Sequence, residues 1–163
     1  MTDIDLEAIK AERARLAAAY LTPGRPASSA RGIHHAALIC SDVEQTIKFY
    51  QGVLEFPLTE LFGNRDYQGS THFFFDVGNG NLFAFFDFPG LNLEPYRETL
   101  GNINHIAISV TKEKWDHLRA KLDAAGVPCQ EESGTSLYFK DPGGVRLELL
   151  ADPLGEMYGT KVM

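Results

Sequence analysis

Hydrophobic and polar positions follow two different rhythms along this chain of 163 residues. Near its start, Ile9, Leu16 and Tyr20 recur at roughly helical spacing, and Ala fills much of the remainder. The pattern predicts a helix over residues 2–21, which a segment containing Pro and Gly ends. We interpret residues 1–31 as a helical extension with a linker, an arm that packs on the domain or on a partner subunit.

From residue 33 onward the chain repeats itself. When His35 is placed on His105, each falls in a short β-rich run that is followed by a polar turn and a helical pattern. Further on, Phe73–Gly80 aligns with Leu137–Gly144, where a strand runs into a Gly-rich turn and back into a strand. The repeat predicts an α+β fold built from two βαβββ modules. The expected parts of this domain, residues 32–163, are the modules 33–88 and 102–151, the connection 89–101 and the tail 152–163.

Side chains alternate across a strand, so His35 and His105 lie on equivalent faces of the two modules. Alternate positions of Ile106–Val110 are all apolar, which suits a face that a helix covers. Both histidines are therefore expected to project from the other, concave side of each sheet. His34 has the opposite parity, and we interpret it as a structural residue on the covered face.

Glu148 lies between two leucines near the last hairpin of the chain. A carboxylate is rarely buried without a partner, because removing its water is costly, and a cation would be such a partner. Two imidazoles and one carboxylate suit a divalent ion with open positions for substrate oxygens. A single strand His is more often a satisfied core residue, and a single Glu is more often solvated. The His at the same place in both modules is what favours a metal site at His35, His105 and Glu148.

These residues also carry a resemblance to a known family. They belong to segments of the two modules, namely Ile33–Leu38, Asp42, Phe49, Tyr50 and Leu54–Phe56, then Asn104–Ile108, Ala125–Val127 and Tyr138–Leu149. The most specific part is the Asp-Pro-Gly-Gly-Val-Arg-Leu-Glu stretch, and the match covers about residues 32–151. The chain resembles the vicinal oxygen chelate superfamily, the glyoxalase, bleomycin-resistance and extradiol-dioxygenase group. The resemblance implies sheets that curl into an open barrel around one metal ion, and it implies a homodimer.

The resemblance also bears on the reaction. In the repeat alignment Ala84 takes the place of Glu148, and its side chain cannot ligate, which argues against glyoxalase I and the epimerases of the group. Extradiol ring-cleaving dioxygenases and fosfomycin-type thiol transferases use a His, His, Glu set. Tyr138 matches the acid or hydrogen-bond donor of the extradiol signature. The His that precedes it there is replaced by Cys129–Glu131, so His72 is the reserve candidate for acid/base catalysis.

We therefore favour a dioxygenase-like enzyme that uses Fe2+ and binds a small substrate through two adjacent oxygens. A Mn2+-dependent thiol transferase of the fosfomycin type is the nearest alternative, and Ni2+, Co2+ or Zn2+ also suit His and carboxylate ligands. A metal-free resistance protein that holds a hydrophobic drug between two subunits is a third possibility, although that type lacks the paired His and the Glu. Whether one chain builds the site, or His35 is donated across a dimer, stays open.

Composition then limits the partners. Hydrophobic residues make up 44% and charged residues 23% of the chain, as in ordinary globular proteins. The formal net charge of −7, with no basic cluster, argues against nucleic acid and anionic membranes as partners. The N-terminus lacks the pattern of a secretion signal, no apolar run could span a bilayer, and Cys40 and Cys129 suit free thiols. A cytoplasmic location is expected.

Overall fold

The computed structural model describes most of the chain, namely residues 5–21, 24 and 27–162. Contacts divide the chain into two compact units, Met1–Ile33 and His34–Met163. In the first unit, helix α1 (Leu6–Tyr20) begins after Asp5, whose side chain caps it, and has no buried residue. The predicted helix included residues 2–4, which lie outside the described residues. The domain boundaries predicted from the sequence stay a prediction.

The second unit contains the two modules and a short terminal hairpin. The first module consists of β1 (His35–Ile39), α2 (Val43–Ile47) with a π-helical continuation (Lys48–Val53), β2 (Leu58–Gly63), β3 (Thr71–Asp76) and β4 (Leu82–Phe86). The second consists of β5 (Ile106–Ser109), α3 (Lys112–Ala124), β6 (Gln130–Glu132), β7 (Ser136–Lys140) and β8 (Arg146–Leu150). The hairpin is formed by β9 (Glu156–Met157) and β10 (Thr160–Lys161).

Each module folds into a four-stranded sheet, in the order β1-β4-β3-β2 and β5-β8-β7-β6. The predicted α+β class, with two βαβββ modules and an N-terminal helix, is thereby confirmed. Within the described residues the two sheets are not hydrogen-bonded to each other and form no closed barrel. None of the helices that the structure describes is both long enough and apolar enough to traverse a bilayer.

The strand registers of the two modules are equivalent. In the first sheet β1 runs parallel to β4, with Ala37 opposite Ala84. In the second sheet β5 runs parallel to β8, with Ala107 opposite Glu148. The sequence alignment of the repeats is therefore also their alignment in space, and Ala84 occupies the place that Glu148 has in the second module.

One face of each sheet packs against its own helix. Trp115, Leu118 and Leu122 lie on one side of α3 and are buried, as their helical spacing predicts. The indole N–H of Trp115 donates a hydrogen bond to the backbone oxygen of Leu149, 3.1 Å away, which ties α3 to β8. The opposite face of this sheet is not covered by α3, so the polar side chains of β8 that point to it remain available for chemistry.

A buried hydrogen bond joins the two modules. The Tyr50 hydroxyl, in the π-helical segment, donates to Oδ2 of Asp141 over 2.9 Å, and Tyr50 is fully buried. The other oxygen of Asp141 accepts from the backbone N–H of Val145, so this carboxylate also shapes the turn that leads into β8. Burial raises the pKa of Asp141, although these hydrogen bonds oppose the shift.

A second, exposed group of contacts reinforces the same junction. Glu55 accepts hydrogen bonds from His117, Lys121 and Lys114 of α3. These contacts, with His117 the strongest, lower the pKa of Glu55 to about 2. Exposed ion pairs are screened by water, so the buried Tyr50 bond is expected to contribute more to stability.

Replacing Tyr50 with Phe removes the buried donor and keeps the ring. We expect the free energy of unfolding to fall by about 1–3 kcal/mol, because a buried carboxylate loses a partner. Denaturant titration at neutral pH measures the change. The matched control is Tyr67→Phe, since the hydroxyl of that exposed residue makes no hydrogen bond within the described part of the chain. Equal stability of Tyr50→Phe and wild type would contradict this role.

Candidate metal centre

The face of the second sheet that points away from α3 carries an imidazole beside a carboxylate. Nε2 of His105 lies 3.1 Å from Oε2 of Glu148, and these side chains are 32% and 6% exposed. Two ligand atoms that are each about 2.1 Å from one ion, at a right angle, are about 3 Å apart. The spacing therefore fits a shared divalent cation. His105 lies just before β5 rather than inside it, because strand pairing begins at Ile106.

Tyr138 and Arg146 complete this face. Tyr138 lies opposite Glu148 in the pairing of β7 with β8, and its ring meets that of His105 edge-on, with the centroids 5.4 Å apart. The guanidinium carbon of Arg146 is 4.3 Å from the Tyr138 ring centroid. Burial, and then the charge of Glu148, raise the pKa of the Tyr138 phenol. The phenol thus keeps its proton at neutral pH and can act as a donor beside the carboxylate.

The third predicted ligand, His35, is exposed at the start of β1. In the described part of the chain, no three His, Cys, Asp or Glu side chains form a group that could hold a metal ion. A single chain therefore brings His105 and Glu148 together but leaves His35 apart from them. Nδ1 of His35 lies 2.9 Å from Nδ1 of His34, which is also exposed. The expectation of a covered His34 is wrong, because this residue precedes the paired part of β1.

Aromatic rings cover the face of the first sheet to which His35 belongs. The His72 ring stacks on Phe86, with centroids 3.9 Å apart, and lies near Phe62 and Phe74 at 5.2 and 4.4 Å. Nε2 of His72 is buried and has no hydrogen-bond partner among the described residues. Burial, with a smaller effect of His35, lowers the pKa of His72. The two modules thus present unlike faces, one aromatic and one polar.

The sequence did not predict the side chains on the Nδ1 side of His105. Its Nδ1 lies 2.7 Å from Oδ1 of Asn104, and the Asn104 amide donates to Glu98 over 3.2 Å. Asn104 could have been suspected, since it directly precedes a predicted ligand. Glu98 has no such signal, because it lies in the irregular segment between the modules.

Residues 32–149 match the model of the Glyoxalase/Bleomycin resistance protein/Dioxygenase superfamily, and the chain belongs to that superfamily. The resemblance inferred from the sequence is thereby confirmed.

Two relatives carry names that state different activities. MhqA of Bacillus subtilis strain 168, which is named as a ring-cleaving dioxygenase, is 28% identical over 80% of this chain and 43% of its own length. The metallothiol transferase FosB of Shouchella clausii is 29% identical over 77% of this chain and 83% of its own length. The chain therefore spans less than half of the dioxygenase relative and most of the transferase.

Solved structures of a fosfomycin resistance protein superpose on this chain. The fosfomycin resistance protein FosX from Listeria monocytogenes superposes with a TM-score of 0.61 at 27% identity, covering 78% of this chain and 95% of FosX. A mutant of that protein, complexed with Mn(II) and a dihydroxypropylphosphonic acid, superposes with a TM-score of 0.60 at 26% identity, covering 77% and 95%.

Proposed function

We propose that this chain is a metal-dependent enzyme in which His35, His105 and Glu148 hold one divalent ion. The observation that carries the proposal is the pair at 3.1 Å, since its carboxylate is almost fully buried with an imidazole at ligand spacing. A divalent ion bound there would supply Lewis-acid activation to substrate oxygens. Fe2+ is favoured, and Mn2+, Ni2+, Co2+ and Zn2+ suit the same donors.

His35 is proposed to reach this site from a second copy of the chain. Strands β1 and β5 are both edges of their sheets, so each has an unpaired side that another strand can approach. Exposed apolar residues lie beside both edges, with Ile39 51% and Ile103 55% exposed. A two-fold homodimer would bring β1 of one copy towards β5 of the other and complete two identical sites.

The surrounding side chains have distinct proposed roles. Tyr138 holds a phenolic proton beside Glu148 and can donate it, as a hydrogen bond or as an acid, to a substrate oxygen. Arg146, over the Tyr138 ring, adds positive charge to the same face. His72 is the proposed acid or base from the first module, because its Nε2 is free of protein partners within the described residues.

The aromatic face favours a ring-cleaving dioxygenase over other reactions. Phe62, Phe74 and Phe86 retain exposed surface around His72, and such rings suit a flat, apolar substrate. We therefore propose a dihydroxylated aromatic ring as the substrate, chelated through its adjacent oxygens. The second candidate is a Mn2+-dependent thiol transferase, which the coverage of FosB and FosX supports. A cytoplasmic location stays a prediction.

The reaction is tested on protein purified without chelator and loaded anaerobically with Fe2+. On adding oxygen and a panel of dihydroxylated aromatic rings, we expect oxygen uptake and the absorbance of an opened ring. The variants Tyr138→Phe and Glu148→Gln should lose most of this activity, whereas the control Glu113→Gln, an exposed residue in the first turn of α3, should retain it. Conversion of fosfomycin with Mn2+ and a thiol, and no ring cleavage, would support the alternative. Failure to bind any divalent metal would contradict the enzyme proposal.

Assembly between chains is tested by mixing two inactive variants. His35→Ala keeps His105 and Glu148, whereas the double variant His105→Ala/Glu148→Ala keeps His35. In a random mixture half of the dimers combine both variants and regain one of two sites, so about one quarter of the wild-type metal capacity should return. Each variant alone should bind little metal. No recovery in mixed dimers, verified by distinct affinity tags, would contradict a shared site.

A further inference from the structure

A closed circuit of polar contacts surrounds the His105 and Glu148 pair, and it runs through the segment between the modules. The Asn104 amide nitrogen donates to Oε2 of Glu98 over 3.2 Å. The other oxygen of Glu98 lies 3.9 Å from a guanidinium nitrogen of Arg146. Arg146 covers the ring of Tyr138, whose strand partner is Glu148. One carboxylate therefore contacts residues on both sides of the candidate metal centre.

Glu98 is held at this position by backbone contacts of its own segment. The N–H of Tyr96 donates to the backbone oxygen of Gly143 over 3.2 Å, and the Tyr96 hydroxyl donates to the backbone oxygen of Ile103. Gly143 belongs to the turn before β8. The segment is thus attached both to the strand that carries Glu148 and to the residues just before His105.

The contact with Glu98 determines how the Asn104 amide is turned. A carboxylate only accepts hydrogen bonds, so the NH2 group of Asn104 faces Glu98 and its carbonyl oxygen faces His105. That oxygen, 2.7 Å from Nδ1 of His105, requires the proton of a neutral imidazole to be on Nδ1. Nε2, which points at Glu148, is then left with a free lone pair for a cation.

We propose that Glu98 and Asn104 are positioning residues that fix the Nδ1-protonated tautomer of His105 and so prepare Nε2 as a ligand. The inference rests on the proposed metal-binding function: without a metal the Glu148 carboxylate, 3.1 Å away, favours a proton on Nε2, so the tautomer is measured where that charge is removed. Such partners behind a ligating imidazole commonly govern metal affinity by about 10- to 100-fold.

The tautomer is measured by NMR of metal-free Glu148→Gln protein labelled with 15N-histidine. The neutral amide that replaces the carboxylate can either donate to Nε2 or accept from it, so it does not itself select the tautomer. We expect the His105 nitrogen shifts of this Glu148→Gln protein to report a proton on Nδ1. Asn104→Leu in the same Glu148→Gln background, which has a similar size and no acceptor, should shift the population towards Nε2-H. The His117 signals should stay unchanged, because this residue contacts Glu55 on the other side of the sheet, and they report that the variant is folded.

Exchanging the charged and the neutral side chain between positions 98 and 104 tests whether their hydrogen bonds, and not only their packing, fix the tautomer of His105. Asn104→Asp keeps the acceptor for His105 but places two carboxylates next to each other. The tautomer population of His105 and the Mn2+ affinity of this variant should therefore lie between those of the protein with Asn104 and those of Asn104→Leu. The double variant Asn104→Asp/Glu98→Gln restores a donor facing an acceptor with reversed roles. In the Glu148→Gln background it should recover the Nδ1-protonated tautomer. Mn2+ alone, titrated by EPR, should bind about tenfold more weakly to Asn104→Leu and with near wild-type affinity to the double variant.

The outcomes distinguish this inference from the proposed function. An unchanged His105 tautomer in Asn104→Leu, or a double variant no better than Asn104→Asp, would overturn the positioning role. If the tautomer responds as expected but wild type binds no Mn2+, Fe2+ or Zn2+, the positioning role stands and the proposed function fails. If Asn104→Leu does not fold, Glu98→Gln is the second variant, because Glu98 is exposed. It should also weaken the preference of His105 for the Nδ1-protonated tautomer.

Discussion

The parallel pairing of β5 with β8 is the constraint on which the candidate site depends. It places Ala107 opposite Glu148, which leaves room above the strand for the imidazole of His105 to reach the carboxylate. The other face of β8 is held by α3 through the indole of Trp115. Because that side is filled, Glu148 cannot turn inward, and its charge must be compensated on the side where His105 lies. A single covered sheet thus produces both a buried carboxylate and an available face.

The two modules use one backbone pattern for opposite purposes. At equivalent positions of the strand pairs, Ala84 and Phe74 in the first module stand where the second has Glu148 and Tyr138. The first face is therefore apolar and aromatic, and the second is polar and charged. A substrate that lies between them would contact rings on one side and oxygen-binding groups on the other. This difference explains why a complete site is expected only where faces from both modules meet.

Most of the fold could be predicted because it depends on periodic patterns. The repeat that aligned His35 with His105 corresponds to equivalent strand registers, and the helical spacing of Trp115 and Leu122 corresponds to the buried side of α3. The candidate site was only partly predictable. Glu98 was missed because its position depends on backbone contacts of an irregular segment, which leave no periodic trace in the sequence. The distance of His35 from the pair was also unpredictable, since it depends on how the modules pack.

Three side chains that are distant in sequence are proposed to share one cation. Crystals grown with Mn2+ and measured at the manganese absorption edge test this proposal most directly. We expect one anomalous peak per chain, about 2.0–2.2 Å from Nε2 of His105, a carboxylate oxygen of Glu148 and an imidazole nitrogen of His35 from the partner copy. A peak elsewhere, or a vacant His105 and Glu148 pair in protein that binds one equivalent of Mn2+, would contradict it.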